Sequence, residues 1–317
     1  MENFSINWRM CANHYKESRC LRCEQNCPQQ AIDAKVGSID AERCTGCGIC
    51  YAVCPTYAVE HNVDLAAILA VFDSKKSLQW CCNKQKAGSK LPCIAILPAK
   101  VLFSLAARMP VIIDKTGCAK CNCQASDFID KLVIQLNNIL PENCKIKIEC
   151  STSMVSELDQ AVDRRNFLKQ LVGASVLFLE EVQQVGEVES RQLCNLNDYL
   201  TQNYSVIVSA DALLAKCNIS KKCIGCGLCA KLCPHHALRL TLGEKALQLK
   251  FSPVLCSNCK VCERYCPTKA INIKACGGVA AIFDIDLPHC NICGKSFQPI
   301  ANATICLVCN NEQKVLK

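Results

Sequence analysis

One cysteine spacing, written three times in full and once with a gap, decides what this chain can fold into. Cys223-Ile-Gly-Cys226-Gly-Leu-Cys229-Ala-Lys-Leu-Cys233-Pro and Cys256-Ser-Asn-Cys259-Lys-Val-Cys262-Glu-Arg-Tyr-Cys266-Pro both read C-x2-C-x2-C-x3-C-P. Cys44-Thr-Gly-Cys47-Gly-Ile-Cys50-Tyr-Ala-Val-Cys54-Pro repeats it. A fourth run, Cys20-Leu-Arg-Cys23-Glu-Gln-Asn-Cys27-Pro, keeps the last three cysteines and has Glu17 where the first would stand. Every run ends in C-P-x-x-A and an aliphatic residue. The four copies fall into two pairs, near 1–60 and 217–276, so an internal duplication organises the chain.

Composition narrows what the thiols can be doing. The chain has 31 cysteines in 317 residues, several times ordinary usage. Disulfide-dense chains are short and secreted. This one is long, its cysteine count is odd, and Met1–Arg9 has no apolar signal region. Leu171–Leu179, the longest apolar stretch in a helix-like segment, is far too short to span a membrane. The expectation is a soluble, cytoplasmic protein whose thiolates hold metal. Aromatic residues make up only 5%, which favours several small cores over one large one. The net charge of +8 would ordinarily suggest an acidic partner. Each centre of charge +2 held by four thiolates adds about −2, and thiols this numerous can hold several. Loaded, the protein sits near neutrality, and nucleic acid is not an expected partner.

The module over 217–276 resembles the bacterial two-cluster ferredoxins along its whole length. In that family three close thiols wrap one face of a [4Fe-4S] cubane, and the fourth, before proline, ligates the other cluster. The resemblance implies one cluster on Cys223, Cys226, Cys229 and Cys266, and another on Cys256, Cys259, Cys262 and Cys233. Gly225 and Gly227 let the backbone approach closely. Zinc also uses C-x2-C, but it needs neither the third thiol nor the fourth before proline. The N-terminal module implies a cluster on Cys44, Cys47, Cys50 and Cys27. Its partner takes Cys20, Cys23 and Cys54, with Cys11 reaching in across Ala12–Arg19. A three-iron cluster without Cys11, or a structural role for that thiol, stays open.

Between the modules the composition changes. Ser77–Cys82, Cys93–Leu97, Val111–Asp114 and Lys145–Glu149 read as short strands. Ala99–Met109 and Ser126–Leu140 have helical apolar spacing, so a small α/β domain with a mainly parallel sheet is expected. Leu158–Val182 reads as a helix, Gln183–Asn197 as a polar link, and Tyr204–Val208 as one more strand. Cys81, Cys82, Cys93, Cys118, Cys121 and Cys123 cluster in this domain. At the strand C-termini of an open sheet they can form a fifth iron–sulfur centre from Cys81, Cys93, Cys118 and Cys121 or Cys123, although Cys93 would start a strand at the opposite end. Buried free thiols are the alternative. The Cys order weakly resembles the small iron–sulfur subunit of hydrogenase–heterodisulfide reductase assemblies. Cys144, Cys150, Cys194, Cys217 and Cys276 read as small hydrophobic residues. His235 and His236, in the turn after Cys233-Pro, read as exposed loop residues, with tuning of the nearby cluster as the alternative.

Cys290-Asn-Ile-Cys293 and Cys306-Leu-Val-Cys309 form two knuckles, the arrangement of a zinc ribbon, although rubredoxin-type iron uses similar ones. Asp163-Arg164-Arg165-Asn166-Phe167-Leu168-Lys169 matches an export-signal core, but it lies far from the N-terminus and reads better as part of an amphipathic helix. The expected fold class is α+β, with two ferredoxin-like dicluster modules (1–60 and 204–276) flanking a small α/β domain (75–182), and a zinc-ribbon tail (288–317). There is no dinucleotide or phosphate loop, and no histidine set suited to catalysis. The expected function is a polyferredoxin-like relay of single electrons for an anaerobic oxidoreductase, as a subunit or dedicated partner that can belong to a membrane-associated complex. The alternative is an assembly factor that docks through the tail. A redox-sensing regulator would need a DNA-reading element, and none is visible.

Overall fold

The structure is a computed structural model. It describes residues 4–14, 19–73, 75–82, 91–150, 191–207, 209–243, 247–295, 297 and 303–315. The helix expected over Leu158–Val182 and the Arg164-Arg165 stretch lie outside the described residues.

Short helices and strands frame the cysteine turns, giving mixed helix and strand content. In the N-terminal module β1 (Phe4–Ile6) pairs antiparallel with β4 (Val59–His61), and β2 (Ile32–Asp33) with β3 (Ser38–Ile39). Helices α1 (Arg22–Gln25) and α2 (Ile49–Val53) each stop just before a Cys-Pro pair. A residue before proline is pushed out of the helical region, and Cys54 accordingly has φ −67° and ψ 118°.

Next come α3 (Leu65–Asp73), β5 (Leu78–Trp80), α4 (Ala99–Arg108), β6 (Val111–Asp114), α5 (Ser126–Asn137) and β7 (Lys147–Glu149). The three strands form a parallel sheet in the order β5-β6-β7, with α4 and α5 as the crossovers. Ile129, Leu132, Val133 and Leu136 of α5 are buried at helical spacing, so one stripe meets the sheet. Cys93–Leu97 is not a strand. Ile94–Ile96 forms a turn of 3-10 helix, with Ile96 N–H donating to Cys93 O (3.1 Å) and Leu97 N–H to Ile94 O (3.0 Å). Pro92 and Pro98 bracket this buried run, and a short apolar run reads alike as buried strand or buried helical turn.

The expected polar link is partly helix. In α6 (Arg191–Gln202) Leu196, Tyr199 and Leu200 are buried one turn apart. Tyr204–Ile207 is helix α7 rather than a strand. In the C-terminal module β8 (Lys216–Ile219) pairs with β11 (Ile271–Lys274). Strand β10 (Leu247–Phe251) lies between β9 (Leu238–Leu242) and β12 (Ala281–Ile285). Helices α8 (Leu228–Lys231) and α9 (Val261–Arg264) repeat the roles of α1 and α2, and α10 (Leu307–Val315) carries the last knuckle.

One apolar core runs from Ile32 and Ile49 through the parallel sheet to Leu200, Leu214 and Val254. A second, around Leu249, Phe251, Ile271 and Ile285, belongs to the C-terminal module.

Candidate metal centres

The four C-P-x-x-A runs fold into one kind of turn. The residue three after each cysteine is left-handed: Gln30, Tyr57, His236 and Lys269 have φ of 50°, 50°, 51° and 52°. Its N–H donates back to the cysteine carbonyl, at 3.1, 3.5, 3.2 and 3.2 Å respectively. The next N–H, from alanine, then points at the thiol. Ala31, Ala58 and Ala270 donate to Sγ of Cys27, Cys54 and Cys266 at 3.3, 3.2 and 3.2 Å. All four alanines are buried, so the fifth position of the motif takes a small side chain. In the C-x2-C-x2-C loops the left-handed pairs are Gly46 and Gly48, Gly225 and Gly227, and Asn258 and Lys260.

These turns bring twelve thiols to three hollows. Cys27, Cys44, Cys47 and Cys50 line one. Cys223, Cys226, Cys229 and Cys266 line another. Cys233, Cys256, Cys259 and Cys262 line a third. Each gathers four thiols among apolar side chains, which suits one kind of thiolate-bound group, held in the crossed sets the resemblance implies. The remaining quartet also converges. Burial, then the thiols of Cys54, Cys20 and Cys11, pushes Cys23 up to about 12. Burial, Cys54 and Cys20 raise Cys11. Asn13, which sequence reasoning missed, staples the longer loop. Its Nδ2 donates to Cys20 O (2.8 Å) and Ala34 O (2.7 Å), and its Oδ1 accepts from Cys20 N–H (2.8 Å).

Burial raises Cys47, Cys229 and Cys256 to about 11 each. Cys266 moves down, because donors from Ala270, Thr268 and Ile271 outweigh its burial. Metal binds the thiolate form, so loading these sites releases the thiol protons.

The two modules meet behind Cys54. The Pro55 carbonyl accepts from Ser257 Oγ and lies 2.8 Å from His235 Nε2. His235 is therefore buried, not an exposed loop residue, and its ring packs edge-on against Tyr57 at 4.7 Å. Burial lowers it to about 4. His236 is exposed. Lys100 Nζ reaches from α4 to Pro253 O (3.1 Å), Val254 O (2.8 Å) and Cys256 O (2.7 Å).

In the middle sheet Cys81 and Cys82 follow β5, and Cys118, Cys121 and Cys123 follow β6. Because Cys93–Leu97 is no strand, Cys93 is not held at the opposite end. It hydrogen-bonds Cys123, which with burial raises its pKa. Of the scattered cysteines, Cys217 is buried in β8 as a small hydrophobic residue, Cys144 is half-buried, and Cys150 and Cys276 are exposed instead.

In the tail the Sγ atoms of Cys290, Cys293, Cys306 and Cys309 all lie within 4.8 Å of one another. A tetrahedral ion with bonds of about 2.3 Å sets sulfurs about 3.8 Å apart. Cys293 and Cys306 are 3.8 Å apart. The N–H groups of Cys306 (3.3 Å) and Ile292 (3.4 Å) donate to Cys290 Sγ, and such donors, Cys306 foremost, hold that thiol down at about 6.

No helix among the described residues is long and apolar enough to cross a membrane. Residues 222–270 match the family described as the 4Fe-4S dicluster domain, and residues 38–60 match the 4Fe-4S binding domain. An uncharacterized ferredoxin of Methanocaldococcus jannaschii is 44% identical over 54 residues, 17% of this chain and 70% of the relative. A subunit of the ion-translocating oxidoreductase complex of Methanosarcina acetivorans is 46% identical over 43 residues, 13% of this chain and 16% of that subunit. Pyruvate synthase subunit PorD of Methanothermobacter marburgensis is 34% identical over 62 residues, 19% of this chain and 75% of that subunit. With ferredoxin motifs at both ends, the chain belongs to the two-module [4Fe-4S] ferredoxin family, whose work is electron transfer.

Proposed function

We propose that this chain relays single electrons through four [4Fe-4S] clusters, as a cytoplasmic subunit or dedicated partner of an anaerobic oxidoreductase complex. The observation that carries the reading is the pairing of thiol quartets across Pro55: the quartet containing Cys54 backs onto the one containing Cys233 and Cys256. A bound cubane supplies a one-electron couple with little change of shape. The protein does the rest. The crossed cysteines hold neighbouring centres close, and the alanine N–H groups stabilise thiolate charge. The matched relatives include subunits of oxidoreductase complexes, and this supports a redox-enzyme partner. Exposed Lys221, Lys222, Lys231 and Lys260 beside the ligand loops suit docking to an acidic face. Zinc on Cys290, Cys293, Cys306 and Cys309 organises the tail and offers a second docking element.

Anaerobic purification with metal analysis and redox-monitored EPR tests this reading. The expected result is at least about sixteen irons per chain, with several reducible S = 1/2 signals, and one zinc. A colourless protein holding chiefly zinc would replace the relay with the docking-factor reading.

A further inference from the structure

The loop after β6 copies the ligand turn of the ferredoxin modules, although its sequence lacks the motif. Cys121-Asn-Cys123-Gln-Ala has no proline after its first cysteine. Yet Gln124, three residues after Cys121, has φ 50°, matching Gln30, Tyr57, His236 and Lys269. Its N–H donates to Cys121 O at 3.4 Å, and a buried alanine, Ala125, follows. The approach also matches. Cys121 N–H donates to Cys118 O (3.1 Å) as Cys54 N–H does to Tyr51 O (3.2 Å), and Cys121 has φ −84° and ψ 127° against −67° and 118° at Cys54. Five such turns exist among the described residues, and in the four-cluster reading the other four each carry a cubane's fourth thiol.

Other thiols meet this turn. Cys93 is tied to β5 by Trp80 Nε1 donating to Pro92 O (2.9 Å), and Cys121 Sγ lies 3.1 Å from Cys123 Sγ. Cys118 feels the charges of Cys82, Cys123 and Cys121, after the larger effect of burial. Cys82 is also among the neighbours of Cys93. Lys115, 7% exposed and 2.5 Å from Asp130, stands close enough to favour the Cys118 thiolate. The site abuts the Cys27/Cys44/Cys47/Cys50 hollow. Gln29 Nε2 donates to Asn122 O (3.1 Å), and Gly48 packs on Ile96, three residues beyond Cys93.

We propose that Cys82, Cys93, Cys118 and Cys121 hold a fifth [4Fe-4S] cluster, with Cys123 between it and the Cys47 hollow, so that the middle domain is a terminus of the relay. The proposal rests on the four-cluster reading. It takes Cys82, whose thiol lies near enough to both Cys93 and Cys118 to raise them. Held by those four thiolates, the group would supply a one-electron couple, taking one electron from a reduced neighbouring cluster, which is oxidised by one, and giving it to a one-electron acceptor docked on the middle domain. No bond forms and no proton moves.

The test is iron and acid-labile sulfide counted on the anaerobically reconstituted full chain. The proposal expects about twenty irons where four cubanes give about sixteen. Cys93→Ser and Cys118→Ser should each lose about four irons and keep the four-cluster EPR signals, whereas Cys81→Ser should lose none. If those variants do not fold, the wild-type count decides alone. About sixteen irons in the wild-type chain, with Cys93 and Cys118 open to alkylation, overturns the proposal and leaves the four-cluster relay standing. Zinc in place of the extra iron also overturns it. A chain with almost no iron overturns the relay itself.

Discussion

Cys11 is the residue on which the irregular quartet turns. Its neighbours are Cys54 and Cys20, and Asn13 fixes the loop that carries it. Cys11→Ala should leave a three-iron centre there, seen as a loss of about one iron per chain with the other clusters intact. Unchanged iron would make Cys11 a packing residue. A second residue-scale prediction concerns His61, buried on β4 with its ring edge-on to Tyr51 at 4.4 Å. Burial holds its folded pKa at about 4, below the ordinary value of about 6.5. As pH falls through that interval the unfolded chain takes the proton first, so stability falls between about 6.5 and about 4 and then levels. Anaerobic urea titrations at pH 5 and pH 7 should show a shallower pH dependence for His61→Phe, by up to about one proton. Equal slopes for both proteins would show that His61 titrates normally in the fold.

The glycines of the ligand loops make a prediction at the scale of the element. A Cβ on Gly48 would sit 2.6 Å from Ile96 Cβ, on a backbone at φ +78°. Gly294, at φ +68°, has nothing within 4 Å of its Cβ position. Gly294→Ala should therefore cost about 1–2 kcal/mol from backbone strain alone. Gly48→Ala adds overpacking of about 1–3 kcal/mol and should also loosen the Cys44–Cys50 loop, lowering cluster absorbance as well as the denaturation midpoint. Equal effects would mean that the two loops do not differ in packing. The same loops show what the sequence made legible. The thiol spacing was readable because the ligand turn needs its left-handed residue and its alanine at fixed offsets. The middle elements were less so. Ile94–Ile96 and Tyr204–Ile207 are short apolar runs in which strand and helix leave the same pattern, and tertiary burial decides between them. Asn13 left no local signal, since its partners Cys20 and Ala34 are distant in sequence. The turn at Cys121 was hidden because the proline that marks the other four is absent there.

At the scale of the whole molecule, the seam behind Cys54 determines whether two ferredoxin modules act as one conductor. Pro55 O is buried between modules and has two partners from the C-terminal one, Ser257 Oγ and His235 Nε2. A buried carbonyl that loses its donors costs about 1–3 kcal/mol, enough to loosen a contact of this size. Lys100 adds three hydrogen bonds from α4 to the backbone around Cys256, so the middle domain grips the same loop from the other side. Ser257→Ala combined with Lys100→Met should leave each cluster's own EPR signal in place, because neither side chain supplies a thiolate. It should weaken magnetic coupling between the modules and slow electron equilibration from one end of the chain to the other. Coupling and rate equal to wild type would mean that the modules exchange electrons by a route that does not cross Pro55.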